Sequence, residues 1–165
     1  MLRSERSVRA AVVLCLSAAL LGACTDGAPS PEPTSPSLSV SPAEPDAYAA
    51  ELVALTNEQR ATEGFAQLAE STCARDAALD RARALVGEGK LVHAPLAPVI
   101  QDCAPFTTAA ENLVNSTASP PEVLDAWLNS PGHRANIVDP ALTEIGIGCV
   151  PDGDKLLCSQ IFLGP

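Results

Sequence analysis

Apolar and polar positions change rhythm along this chain, and each rhythm predicts an element. Residues 10–21 form an apolar run, with Ser17 its one polar side chain, behind Arg3, Arg6 and Arg9. As a helix this run would reach about 18 Å at 1.5 Å per residue. A bilayer core is roughly 30 Å thick, so the run reads as the apolar part of a signal segment. The pattern then lapses until Tyr48, Leu52, Val53 and Leu55, which step at helical spacing and predict a helix over residues 46–63, stopped by Gly64. A second helix is predicted over 71–86, with Ser71 as N-cap and Gly87 and Gly89 beyond its end. Residues 90–110, with Pro95, Pro98 and Pro105, read as irregular. Residues 122–129 predict a short helix led by Pro120 and Pro121, and residues 133–138 another after the break at Ser130-Pro131-Gly132.

Near the C-terminus the rhythm becomes that of strands. Residues 143–150 and 155–163 are rich in β-branched and apolar side chains, and Asp152-Gly153-Asp154 lies between them, so they predict a hairpin. With Gly153-Asp154 as its loop, Cys149 falls opposite Cys158. Directly opposed strand residues lie about 4.5 Å apart at a non-hydrogen-bonded site, which a disulfide can bridge. The expected pairs are therefore Cys149–Cys158 and, by elimination, Cys73–Cys103.

Composition divides the chain. The tetrapeptide Leu21-Gly22-Ala23-Cys24 resembles a bacterial lipoprotein cleavage motif, which implies lipid transfer to Cys24 and cleavage before it. Residues 25–45 hold six prolines and five serines, too little apolar surface to offset the entropy of ordering. They read as an extended spacer. Three segments follow: a signal peptide over 1–23, a lipidated cysteine and linker over 24–45, and one domain over 46–165. Such a chain is expected at the cell membrane, lipid-anchored on the extracytoplasmic face. Its formal charge of −10 becomes −12 when Arg3, Arg6, Arg9 and Glu5 leave with the signal, which argues against nucleic-acid partners. Four cysteines left in an exported domain are expected as disulfides.

The candidate chemistry lies in short blocks: Asn57-Glu58-Gln59-Arg60, Leu91-Val92-His93-Ala94, Ala110-Glu111-Asn112-Leu113, and WLNSPGHRANIVDPALTEIGIG from Trp127 to Gly148. In order and spacing they resemble the bacterial branch of the CAP superfamily (cysteine-rich secretory, antigen five and pathogenesis-related proteins; SCP-like domains). The resemblance implies an α+β fold, a three-layer α/β/α sandwich with a small antiparallel sheet. It also implies a cleft holding His93, Glu111 and His133, where two imidazoles and a carboxylate could hold Zn²⁺ or another divalent cation. His93 and His133 are the only histidines in the chain. A fourth family position, often glutamate, is Ser130 here, which lowers the expected metal affinity. An equally weighted reading makes the trio an internal hydrogen-bonded network that fixes loops without any ligand.

Asn112 is expected to cap or hydrogen-bond the backbone, and Arg134 and Asn136 are expected to fix the turn around His133. Trp127, Ile145 and Ile147 are expected in the core, and Gly146 and Gly148 are expected to let a helix approach the sheet. Neither an H-E-x-x-H helix nor a G-x-S-x-G elbow is present. The expected function is therefore a ligand-binding module for lipid or sterol, cell-wall material or protein. A metal-dependent hydrolase or protease and a structural or adhesive domain are the alternatives.

Overall fold

The computed structural model describes residues 44–165. The signal segment, Cys24 and nearly all of the linker lie outside the described residues. Pro45 opens the first helix, one residue before its expected start; proline suits a helix N-terminus because its missing N–H costs nothing there. This helix, α1, runs Pro45–Thr62. It is followed by β1 (Ala69–Glu70), α2 (Thr72–Leu85), α3 (Ala97–Asp102), β2 (Thr108–Ser116), α4 (Pro120–Leu128), α5 (Pro131–Ile137), β3 (Glu144–Asp152) and β4 (Lys155–Gly164). Ser71 caps α2 by accepting from the Ala74 N–H at 3.4 Å.

The strands form one sheet in the order β1-β3-β4-β2, antiparallel except for the short parallel pair β1–β3. The hairpin has the expected register, with Asp152 opposite Lys155 and Cys149 opposite Cys158. Both disulfides are as expected. Cys149–Cys158 spans a Cα–Cα distance of 4.1 Å across the hairpin, and Cys73–Cys103 joins the first turn of α2 to the end of α3 across 5.7 Å.

Side-chain alternation along the strands divides the molecule into layers. Ile145, Ile147, Cys149, Cys158 and Phe162 pack with Tyr48, Leu52, Trp127 and Ile137 on the face covered by α1, α4 and α5. Ile161 and Leu163 pack with Ala74, Ala78, Val99 and Cys103 on the face covered by α2 and α3. This is the expected three-layer α/β/α sandwich. Gly146 and Gly148 point at α2: a Cβ on either would lie 2.7 Å from the Cα of Arg75 or Leu79. Trp127 is buried and donates from Nε1 to the Leu113 carbonyl at 3.3 Å.

Three elements depart from the expectation. Residues 97–102 are helical within the stretch read as irregular, β1 was not anticipated, and β2 lies where no strand was expected. The sequence of β2, TAAENLVNS, lacks an apolar alternation because the adjacent Glu111 and Asn112 are both buried, on opposite faces of the sheet. Pairing with β4 along its full length, Thr108 opposite Gly164 through Ser116 opposite Leu156, overrides that weak local preference.

The Asn57–Arg60 block is structural. Asn57 exchanges hydrogen bonds with the backbone of Leu68 at 2.8 and 3.0 Å. Arg60, 1% exposed, donates to the carbonyls of Ala66, Ile137 and Asp139 at 2.7–2.9 Å and so ties the end of α1 to the loop before β3.

Candidate functional site

Strand β2 is a sheet edge, and its two central polar residues organise a polar cluster on each face. On the α1 side, Asn112 donates to Gln160 Oε1 at 2.9 Å and to the His133 carbonyl at 3.3 Å, and accepts from Asn136 at 2.9 Å. Gln160 in turn donates to Thr56 at 3.0 Å. Asn136 also donates to the Glu111 carbonyl at 3.2 Å. With Trp127 on the Leu113 carbonyl, these side chains cover edge acceptors that would otherwise invite another strand. Asn136 thus pins α5 to β2. Arg134 bonds Glu63 at the end of α1, so these two residues fix α5 to its neighbours.

On the α2 side, Glu111 is the centre. Its side chain is 2% exposed. Arg81 donates to both carboxylate oxygens, Nε to Oε1 at 2.6 Å and a terminal nitrogen to Oε2 at 2.8 Å. Ser159 donates to Oε1 at 2.8 Å, and His93 Nδ1 lies 2.8 Å from Oε2. The terminal nitrogens of Arg81 also reach the Ala94 carbonyl at 2.8 Å and that of Pro95 at 3.3 Å, which clamps the loop carrying His93. Burial is the largest influence on the Glu111 carboxyl and opposes its ionisation. The hydrogen bonds from Arg81, His93 and Ser159, with the Arg81 charge, outweigh it and hold the carboxyl below its usual range.

His133 sits on α5. Partial burial, and secondarily the charge of His93, lower its pKa, so the neutral ring is favoured. The expected trio is therefore only partly assembled. His93 and Glu111 are in direct contact, while His133 is tied to β2 through its backbone carbonyl. Ser130, at the fourth family position, is the N-cap residue of α5.

The donor set does not fit a divalent cation. Both Glu111 oxygens are taken, and a guanidinium lies against them where a metal would have to approach. Among the described residues no group of three or more His, Cys, Asp or Glu side chains could hold a metal ion. The same geometry limits proton chemistry, because a carboxylate with four charge-assisted or hydroxyl hydrogen bonds is a weak base.

Sequence reasoning missed Arg81 and Ser159. Both had a detectable signal. Arg81 lies three residues after buried Ala78 and seven after buried Ala74, on the inward side of α2. Ser159 shares the alternation of Ile161 and Leu163 on β4.

Comparison with known proteins agrees with the architecture. A family model described as "Cysteine-rich secretory protein family" matches residues 53–162. The chain is 30% identical over 129 residues to the uncharacterized protein YkwD of Bacillus subtilis, a match covering 74% of this chain and 49% of that protein. It thus spans about half the length of that curated relative. An extracellular protein containing a SCP domain from Bacillus anthracis is similar in structure, with a TM-score of 0.65 and 25% identity over 73% of this chain and 41% of that one. An outer surface protein of Borrelia burgdorferi shares the fold, with a TM-score of 0.63 and 20% identity over 72% of this chain and 92% of that one. The motifs, the layered sheet and the family match over residues 53–162 place this chain in the cysteine-rich secretory protein, or CAP, family.

Proposed function

We propose that the chain is an extracytoplasmic binding module, tethered to the membrane through lipid on Cys24. In this reading Arg81, Glu111, His93 and Ser159 form an internal lock. One observation carries it: every strong acceptor position of Glu111 is met from within the domain, which leaves the carboxylate neither a free base nor a metal ligand. The lock holds residues 93–95 against the sheet and so presets the surface around them. Lipid, cell-wall material and protein are the ligand classes that suit a domain displayed in this way. The bacterial relative described as extracellular supports the location. Among the described residues no helix is long and apolar enough to cross a membrane.

Fractionation of a bacterium expressing the full chain tests the tether. The wild type is expected in the detergent-soluble membrane fraction, and Cys24→Ser is expected in the medium or the extracytoplasmic soluble fraction. Equal partition of the two would contradict lipid anchoring.

A further inference from the structure

Away from the Glu111 lock, the loop after α2 and the β3–β4 turn enclose an open recess of about 440 Å³, with Asn115 of β2 among its lining residues. Ligand pockets commonly span roughly 300–1,000 Å³. The chain has only two lysines, Lys90 and Lys155, and both line this recess. Among the described residues neither has an acidic oxygen within 4.0 Å. Two unpaired ammonium groups at one place stand out on a chain of net charge −10.

Acidic groups line the same recess. Asp152 is held by the Gly87 N–H at 3.1 Å and by Asn115 Nδ2 at 2.6 Å, and Asp154 lies beside it in the turn. These bonds use the donor side of the Asn115 amide. Its Oδ1 is buried and has no hydrogen-bond partner in the structure. An acceptor buried in that state costs about 1–3 kcal/mol. Leu85 and Leu91 add apolar surface, and Leu91 is 43% exposed.

We infer that this recess binds a short peptide with free termini, or a comparable zwitterion. Its carboxylate faces Lys90 and Lys155, its ammonium and amide N–H groups face Asp152 and Asp154, and a side chain lies on Leu85 and Leu91. A simple anion would meet Asp152 and Asp154, and a simple cation would meet the lysines; a ligand carrying both charges satisfies the lining. The inference rests on the binding-module reading, but it uses none of the Glu111 cluster. Its failure would leave both the lock and the Cys24 fractionation untouched.

The test is a ¹⁵N chemical-shift titration of the full chain carrying Cys24→Ser with tri-L-alanine. N-acetylated and C-amidated tri-L-alanine, and inorganic phosphate, are titrated in parallel. Shifts are expected at residues 85–91, Asn115 and 152–155, with saturation. Blocking either terminus, or the double change Lys90→Gln/Lys155→Gln, is expected to weaken binding about tenfold or more. Both lysines are exposed, so the double variant should melt with the parent. The inference is overturned by an absence of localised shifts up to about 10 mM peptide. It is equally overturned if either blocked peptide binds as well as the free one, if the lysine variant binds unchanged, or if phosphate binds as tightly as the peptide.

Discussion

Arg81→Ala is expected to cost the domain about 3 kcal/mol and to lower its melting temperature by roughly 10 °C. The reason is asymmetry. Glu111, whose side chain is 2% exposed in the intact domain, is left without its cation. Removing one partner of a buried ion pair costs about 3–5 kcal/mol, chiefly because the surviving charge is stranded. The low end applies because the Arg81 side chain keeps 13% exposure. The same substitution releases the carbonyls of Ala94 and Pro95, so the loop bearing His93 should loosen along with the loss of stability. Urea denaturation and amide exchange measure the two effects. Arg81→Ala combined with Glu111→Leu should be less damaging than the sum of the single changes, because the double variant strands no charge. Additive losses, or a cost below about 1 kcal/mol for Arg81→Ala, would show that the pair is a surface contact rather than a lock.

Gly146→Val is expected to be at least as damaging, with a loss of about 3 kcal/mol or more, or no soluble protein. The built Cβ lies 2.7 Å from the Arg75 Cα and closer still to the adjoining backbone of α2. Backbone cannot move aside as a side-chain tip can, so the helix must lift from the sheet. That movement would open the cluster of Ala74, Ala78, Ile161 and Leu163 and shift Arg81 relative to Glu111. Gly132→Ala is the control: a Cβ there meets nothing within 4 Å, and its helical position should favour alanine by up to about 1 kcal/mol. Soluble yield and urea midpoints decide the comparison. A Gly146→Val domain as stable as the parent would mean that α2 does not pack as closely as these contacts require.

The parts legible in the sequence were those fixed by local rhythm. Helices α1 and α2 carry helical spacing with glycine beyond their ends. The hairpin register followed from one turn and was corroborated by the placement of Cys149 and Cys158. Strand β2 was not legible, because its centre holds a buried carboxylate and a buried amide whose reasons for being there lie on other elements. Glu111 is satisfied from α2, from β4 and from the His93 loop; Asn112 from α5 and β4. Such partners are 18 to 48 residues away in sequence, too far for any periodicity to pair them. Motif resemblance picked out His93, Glu111 and His133; the structure brings His93 and Glu111 into contact, while His133 is tied to β2 through its backbone carbonyl. It could not reveal Arg81, whose charge settles what Glu111 can do. The gathering of both lysines at one recess was equally hidden, since Lys90 and Lys155 meet only when the loop after α2 folds beside the hairpin turn.

Arg81, rather than a metal ion, is the cation paired with Glu111. Calorimetric titration of Zn²⁺ into the full chain carrying Cys24→Ser tests it most directly, with His93→Ala/His133→Ala titrated alongside. No site of micromolar affinity is expected in either protein. A micromolar or tighter site in the former that disappears in the histidine variant would contradict it.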